Sequence, residues 1–146
     1  MIDQAAIQSV LSKERWNMPR AKQLTVWVPD RPGMLGEVGS ALGAKKANIL
    51  AFTAWIEGDR GGVRMVVEKP AVAKKVLAAR GWETTEEEVL EVTLANTPGS
   101  LGRVAQKLGE AGVNIRYSYP GSAGSARRVK VYFGVSDLKA ALKAAR

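Results

Sequence analysis

Leu24, Val26 and Val28 alternate with less apolar neighbours, as do Leu90, Val92 and Leu94, and each set runs straight into a Pro-Gly turn. A period of two is the mark of a strand with one buried face. Past each turn the period changes. Leu35, Val38 and Leu42, and then Leu101, Val104 and Leu108, recur at helical spacing, so each turn feeds an amphipathic helix of about three turns.

The same order continues in both halves. Strands are predicted at Ile49 to Ile56 and Val113 to Tyr119, then at Val63 to Val67 and Val129 to Val135, with Gly-rich connections between them. Tyr117 and Tyr119 alternate with Asn114, Arg116 and Ser118 and are assigned to an inward face. A second helix follows in each half, after Pro70 with Val72, Val76 and Leu77 inward, and after Ser136 with Leu138, Ala141, Leu142 and Ala145 inward. Ser136 is the expected N-cap, and Lys143 and Arg146 suit the negative end of that helix. Only the first half has room for a fourth strand, around Trp82 to Glu86.

The resemblance between halves extends to identity. The stretch DRPGMLGEVGSALGAKKANI from Asp30 aligns without gaps on NTPGSLGRVAQKLGEAGVNI from Asn96, an offset of 66 residues with nine matches in twenty. A period this long is too large for a solenoid and indicates two copies of one small domain. Strand-helix-strand-strand-helix-strand is the ferredoxin-like split βαβ, an α+β fold with an antiparallel sheet and both helices on one face. The expected organisation is an N-terminal helical extension over residues 1–23, carrying Ile7, Val10 and Leu11 before Pro19, a first unit over 24–88, and a second over 89–146 that lacks its final strand. An unpaired edge needs a cover, such as the neighbouring copy, a partner chain or the extension.

A strand ending in D/N-x-P-G-x-L-G, a helix, and Asn-Ile opening the next strand resembles the ACT domain, a small amino-acid-sensing module. The pattern occurs as Asp30-Arg31-Pro32-Gly33-Met34-Leu35-Gly36 with Asn48-Ile49, and as Asn96-Thr97-Pro98-Gly99-Ser100-Leu101-Gly102 with Asn114-Ile115. The resemblance covers residues 24 to 146 and implies tandem ACT units that bind an amino acid or similar small carboxylate near the unit interface. It further implies a regulatory protein with no catalytic residues, acting on an enzyme or regulator in trans, while the unfinished second unit and the apolar extension point to a homodimer.

The chemistry of the repeated loop fits that implication. Each turn opens a helix whose first N–H groups have no internal partner, and these suit a carboxylate. Gly33 to Leu35 and Gly99 to Leu101 are the candidate donors, with Met34 and Ser100 placed to touch a ligand side chain. Glycine lets a ligand approach the main chain. Asp30 could pair with an ammonium where Asn96 offers a neutral group, and Arg31 adds a cation that Thr97 does not. Asn48 and Asn114, with Ile49 and Ile115 beside them, are expected next to the same loops, where an amide can both donate and accept.

Composition narrows the rest. The 146 residues include no cysteine and no histidine, which removes disulfides, Cys/His metal sites and Ser-His or Cys-His catalysis. No cofactor, metal or enzymatic activity is expected. No apolar run approaches the roughly 20 residues of a membrane span, and the start lacks a signal-peptide plan, so the expected location is the cytoplasm. The formal charge is +8, with four basic against two acidic residues in 1–23, nine against nine in 24–88 and nine against three in 89–146. Arg127, Arg128 and Lys130 near Tyr117, Tyr119 and Tyr132 raise an alternative, a basic nucleic-acid-binding sheet, which the absence of an RNA-recognition signature disfavours. A ligand-free protein-interaction module is the other alternative.

Overall fold

The computed structural model describes residues 19–144. The expected helical face with Ile7, Val10 and Leu11 lies outside the described residues, as do Ala145 and Arg146. The described chain forms two compact units, one of Lys22–Glu88 and one in which residues 89–144 are joined by 19–21.

The first unit contains β1 (Arg20–Pro29), α1 (Met34–Ala44), β2 (Ile49–Glu57), β3 (Arg60–Val67), α2 (Pro70–Ala79) and the opening of β4 (Glu83–Ala95). β3 lies between β1 and β2 and pairs antiparallel with both, Val63 facing Val26 on one side and Ala54 on the other. Alternation then sends Leu24, Val26, Val28, Val63, Met65 and Val67 to one face. There they meet Met34, Val38 and Leu42 of α1 and Ala73 and Leu77 of α2. Each such side chain contributes about 1.5–3 kcal/mol by leaving water. α1 starts at Gly33, whose left-handed backbone (φ 89°) only glycine adopts without strain. α2 starts with Pro70 at its first position, where the missing N–H has no helical partner to lose.

The second unit follows the same order: the end of β4, α3 (Ser100–Glu110), β5 (Ile115–Gly121), β6 (Arg128–Val135) and α4 (Leu138–Ala144). β6 pairs antiparallel with β4 and with β5. Its core gathers Leu90, Val92, Leu94, Val104, Leu108, Val131 and Phe133, with Ala141 from α4. On the β4 side, the Glu91 N–H donates to the Pro19 carbonyl at 3.0 Å.

Several expectations are corrected. The strand predicted at Trp82 to Glu86 and the one predicted from Leu90 are a single strand of 13 residues, β4. Leu35 and Leu101 do not face the cores: they are 46% and 52% exposed, and the buried stripe runs through Met34, Val38 and Leu42, and through Ser100, Val104 and Leu108. Val72 is exposed likewise, its place taken by Ala73. The cap of α4 is Asp137, whose Oδ1 accepts from the Ala140 N–H at 3.0 Å, while Ser136 Oγ accepts from the Asn114 N–H. A bulge between Ile115 and Tyr117 leaves Ile115 on the core face and turns Tyr117 and Tyr119 to the opposite one, beside Tyr132.

Candidate functional site

Each unit has a groove between its Pro-Gly loop and the neighbouring strands. In the first, Val28 to Arg31, Met34 and Leu35 form one wall, Ala54 to Ile56 and Gly61 to Val63 the other, around a volume of about 250 Å³. In the second, Leu94 to Thr97, Ser100 and Leu101 face Ser118 to Pro120, Val129 and Val131 around about 300 Å³. The loop-side residues of the two grooves correspond one for one at the 66-residue offset. Gly33 and Gly99 have nearly the same backbone, φ 89° and 85°.

The loop closes similarly in both. The Gly33 carbonyl accepts from the Glu37 N–H and the Gly99 carbonyl from the Arg103 N–H, each at 3.0 Å. Both grooves are apolar at the floor and polar at the loop.

Residues 22–80 match the ACT domain. The first groove, from Val28 to Val63, therefore lies wholly inside the ACT segment. The chain is also similar to the crystal structure of protein BT0572 from Bacteroides thetaiotaomicron, at 26% identity over 88% of each chain and a TM-score of 0.79. The regulatory subunit of aspartate kinase from Thermus thermophilus, solved in a ligand-free form, has the same fold. There the identity is 21%, over 88% of this chain and 93% of that one, with a TM-score of 0.65. The corresponding subunit from Thermus flavus gives 22% identity, 88% and 94% coverage and a TM-score of 0.60. No curated protein matches the chain.

Within the ACT segment, Asp30, Arg31, Met34 and Leu35 line the groove, and Gly33 forms the turn beside it. Asn48 and Ile49 do not join them. They follow the far end of α1, about 16 Å from its start for 11 residues, and with Gly39, Gly43, Lys46 and Ala47 line a separate hollow of about 430 Å³. Asn114 and Ile115 also follow the far end of their helix, α3, and Asn114 is clipped to Ser136, its carbonyl accepting from the Ser136 N–H and its N–H donating to Ser136 Oγ. The expectation that these asparagines sit beside the loops is thus corrected: the helix carries the chain back along the sheet, so the strand after it runs parallel to the strand before it and starts at the end opposite the loop.

In the second unit, Asn96, Ser100 and Leu101 line the groove with Thr97. Asn96 is already committed, its Nδ2 donating to the Ala126 carbonyl at 3.0 Å. Ser100, 7% exposed, shares a hydrogen bond with Thr97 Oγ1 at 2.8 Å and accepts from Arg103 Nη2 at 3.2 Å. Arg103 was not among the residues picked from sequence. Its Nη1 stands 2.9 Å from where a Cβ on Gly99 would be. The signal was present in the repeat, since the residue 66 positions earlier is Glu37, of opposite charge.

The sheet aromatics of the second unit are used internally. Tyr119 stacks between Tyr117 and Tyr132, at 6.5 and 5.6 Å, and both Tyr119 and Tyr132 are buried. Burial, the Glu91 charge and a 3.4 Å hydrogen bond to Glu91 push the Tyr132 hydroxyl up to about 12, and Lys130 holds the same carboxylate at 2.8 Å. Buried in this way, Tyr119 and Tyr132 offer no face for stacking a base. Among the described residues no cluster of His, Cys, Asp or Glu could hold a metal ion, and no helix is long and apolar enough to cross a membrane.

Proposed function

We propose that this chain is a regulatory module of two ACT units that binds an amino acid or similar small carboxylate in its loop grooves. It acts in the cytoplasm as a homodimer and passes the binding event in trans to a separate enzyme or regulator. The observation that carries the reading is the recurrence of the groove in both units, built from corresponding loop residues on the same glycine backbone. The ACT match over residues 22–80 and the fold shared with aspartate kinase regulatory subunits support it.

Chemically, each groove offers an apolar floor for a ligand side chain and, at the loop, first-turn N–H groups for a carboxylate. A ligand that favours one conformation of the unit over another shifts the equilibrium by the difference in its two affinities. The partner reads that shift.

The test is thermal unfolding against each common amino acid, followed by calorimetry on any hit. A ligand at a hundred times its Kd stabilises the native chain by about 2.7 kcal/mol. Ala54 and Ser118 are exposed strand residues lining the first and second grooves, so Ala54→Phe and Ser118→Phe fill them without touching a core. Loss of binding in at least one of these variants is expected. Binding unchanged in the double variant would move the site away from the loops, and no stabilisation by any amino acid at millimolar concentration would overturn the reading.

A further inference from the structure

The basic run Arg127, Arg128 and Lys130 has no part in the loop grooves. Lys130 is spent on Glu91. Arg127 and Arg128, with Thr93, Leu94 and Ala95, line a separate hollow of about 210 Å³. Alternation along β4 turns Thr93 and Ala95 away from the core that takes Val92 and Leu94, so this hollow belongs to the sheet face opposite the helices.

The first unit has the same frame with the space filled. Pro29 faces Arg60 across β1 and β3, as Ala95 faces Arg128 across β4 and β6. Two positions before Pro29 stands Trp27, and two before Ala95 stands Thr93. The Arg60 guanidinium lies 4.1 Å over the Trp27 ring and its Nη1 donates to Glu83 Oε2 at 2.7 Å, so that cation has both an aromatic cover and a carboxylate. In the second unit a threonine takes the place of the indole, and Arg127 takes the place of Asp59. Among the described residues neither Arg127 nor Arg128 has a carboxylate partner or a ring contact. The acids of this unit serve elsewhere: Glu91 holds Lys130, Asp137 caps α4, and Glu110 ends α3. The main chain beneath the two arginines is pinned. The Asn96 N–H donates to the Arg127 carbonyl at 2.8 Å and Asn96 Nδ2 to the Ala126 carbonyl at 3.0 Å, while the Arg127 N–H donates to Ser125 Oγ at 3.1 Å.

We infer that this hollow is a phosphate site, taking orthophosphate or the phosphate group of a small ester, and that it is separate from the loop grooves. Two neighbouring guanidinia and the Thr93 hydroxyl supply donors from more than one direction, which suits a tetrahedral oxyanion better than a planar carboxylate. The anion takes the role that Glu83 has toward Arg60, and the organic part of an ester has the space that the Trp27 ring fills in the first unit.

Inorganic phosphate and phenyl phosphate, titrated separately into the full chain at fixed ionic strength against chloride, test this. The backbone amide resonances of Ala95, Arg127 and Arg128 are followed beside those of the loops, Gly33 to Leu35 and Gly99 to Leu101. Movement of the first set with the loops unmoved is expected. A response to inorganic phosphate makes the free ion sufficient, and a response to phenyl phosphate alone makes the ligand an ester. Arg127→Gln and Arg128→Gln should each raise Kd about two- to fivefold, the scale of an exposed ion pair, and the double variant about tenfold. Thr93→Trp, which copies the first unit, should abolish the response with both arginines present. Because the arginines are exposed their variants should fold, which the unchanged remainder of the spectrum verifies. No movement with either probe, equal movement in chloride, or an unaltered Kd in the double arginine variant would each overturn the inference. So would a short oligonucleotide that binds these residues about a hundredfold tighter than phenyl phosphate and is lost steeply with salt, since the surface would then be a nucleic-acid interface.

Discussion

Gly62 lies in β3 directly beneath the indole of Trp55, its register partner in β2. A Cβ added there would sit 2.6 to 2.8 Å from three ring atoms, so Gly62→Ala forces the ring back by about 1 Å to reach ordinary contact. The ring has little freedom to retreat. Its edge meets Trp27 at 5.3 Å between centroids, and the Arg64 guanidinium lies 4.0 Å over it. Overpacking of this kind costs about 1–3 kcal/mol, and weakening the aromatic and cation–π contacts adds about 0.5–1 kcal/mol. Against this, alanine is favoured over glycine in a strand by about 0.5–1 kcal/mol. The net is a destabilisation of about 1–3 kcal/mol, or a fall in Tm of roughly 4–10 °C for a chain of this size. Gly36→Ala is the control. It is a helical glycine of α1 with open space where the Cβ would go, and should gain about 0.5–1 kcal/mol. Urea unfolding followed by circular dichroism measures both. A Gly62→Ala chain as stable as wild type would show that the ring relaxes freely and would refute the packing argument.

Leu35→Ala should cost less than about 1 kcal/mol while Leu42→Ala costs about 2–5 kcal/mol, because only the second side chain is in the core; equal losses in urea unfolding would put Leu35 back inside. Tyr132 supplies a pH dependence. Its folded value of about 12 exceeds the ordinary 10.0, so between these the unfolded chain loses the proton first and stability falls as pH rises. Tyr132→Phe should flatten the decline of the urea midpoint over that window, and identical slopes in the two proteins would count against a Tyr132 hydroxyl raised by its burial and by Glu91.

The frame was legible because it rests on periodicity. Two-residue alternation placed β1 and the second half of β4, and the 66-residue repeat tied each Pro-Gly turn to the helix after it. Periodicity alone could not set the rotation of α1. Positions 35, 38 and 42 and positions 34, 38 and 42 both fit one helical face, and with Met34 and Leu35 both apolar nothing local chooses between them. In the second unit the pattern misled outright, since the buried position is Ser100 and the exposed one Leu101. Burial is affordable there because the serine hydroxyl finds Thr97 and Arg103. The asparagines were misplaced for a different reason, namely that motif neighbours at the two ends of one helix are separated by the helix's own length. Arg103 escaped notice because shared positions, rather than reversed ones, drew attention to the loops.

The hydrogen bond from Glu91 to Pro19 spans 72 positions of chain, and residues 19–21 cluster with 89–144 while everything between them folds as another unit. The second unit is therefore discontinuous in sequence. During synthesis Pro19 emerges first and must wait for its partner until β4 has left the ribosome, a delay that non-local pairing makes slow. A fragment cut at the 88/89 boundary would leave the β4 edge without that partner and open to other strands. Joining residue 144 to 19 through a flexible linker and opening the chain within the first unit would test whether this long-range closure limits the rate of folding.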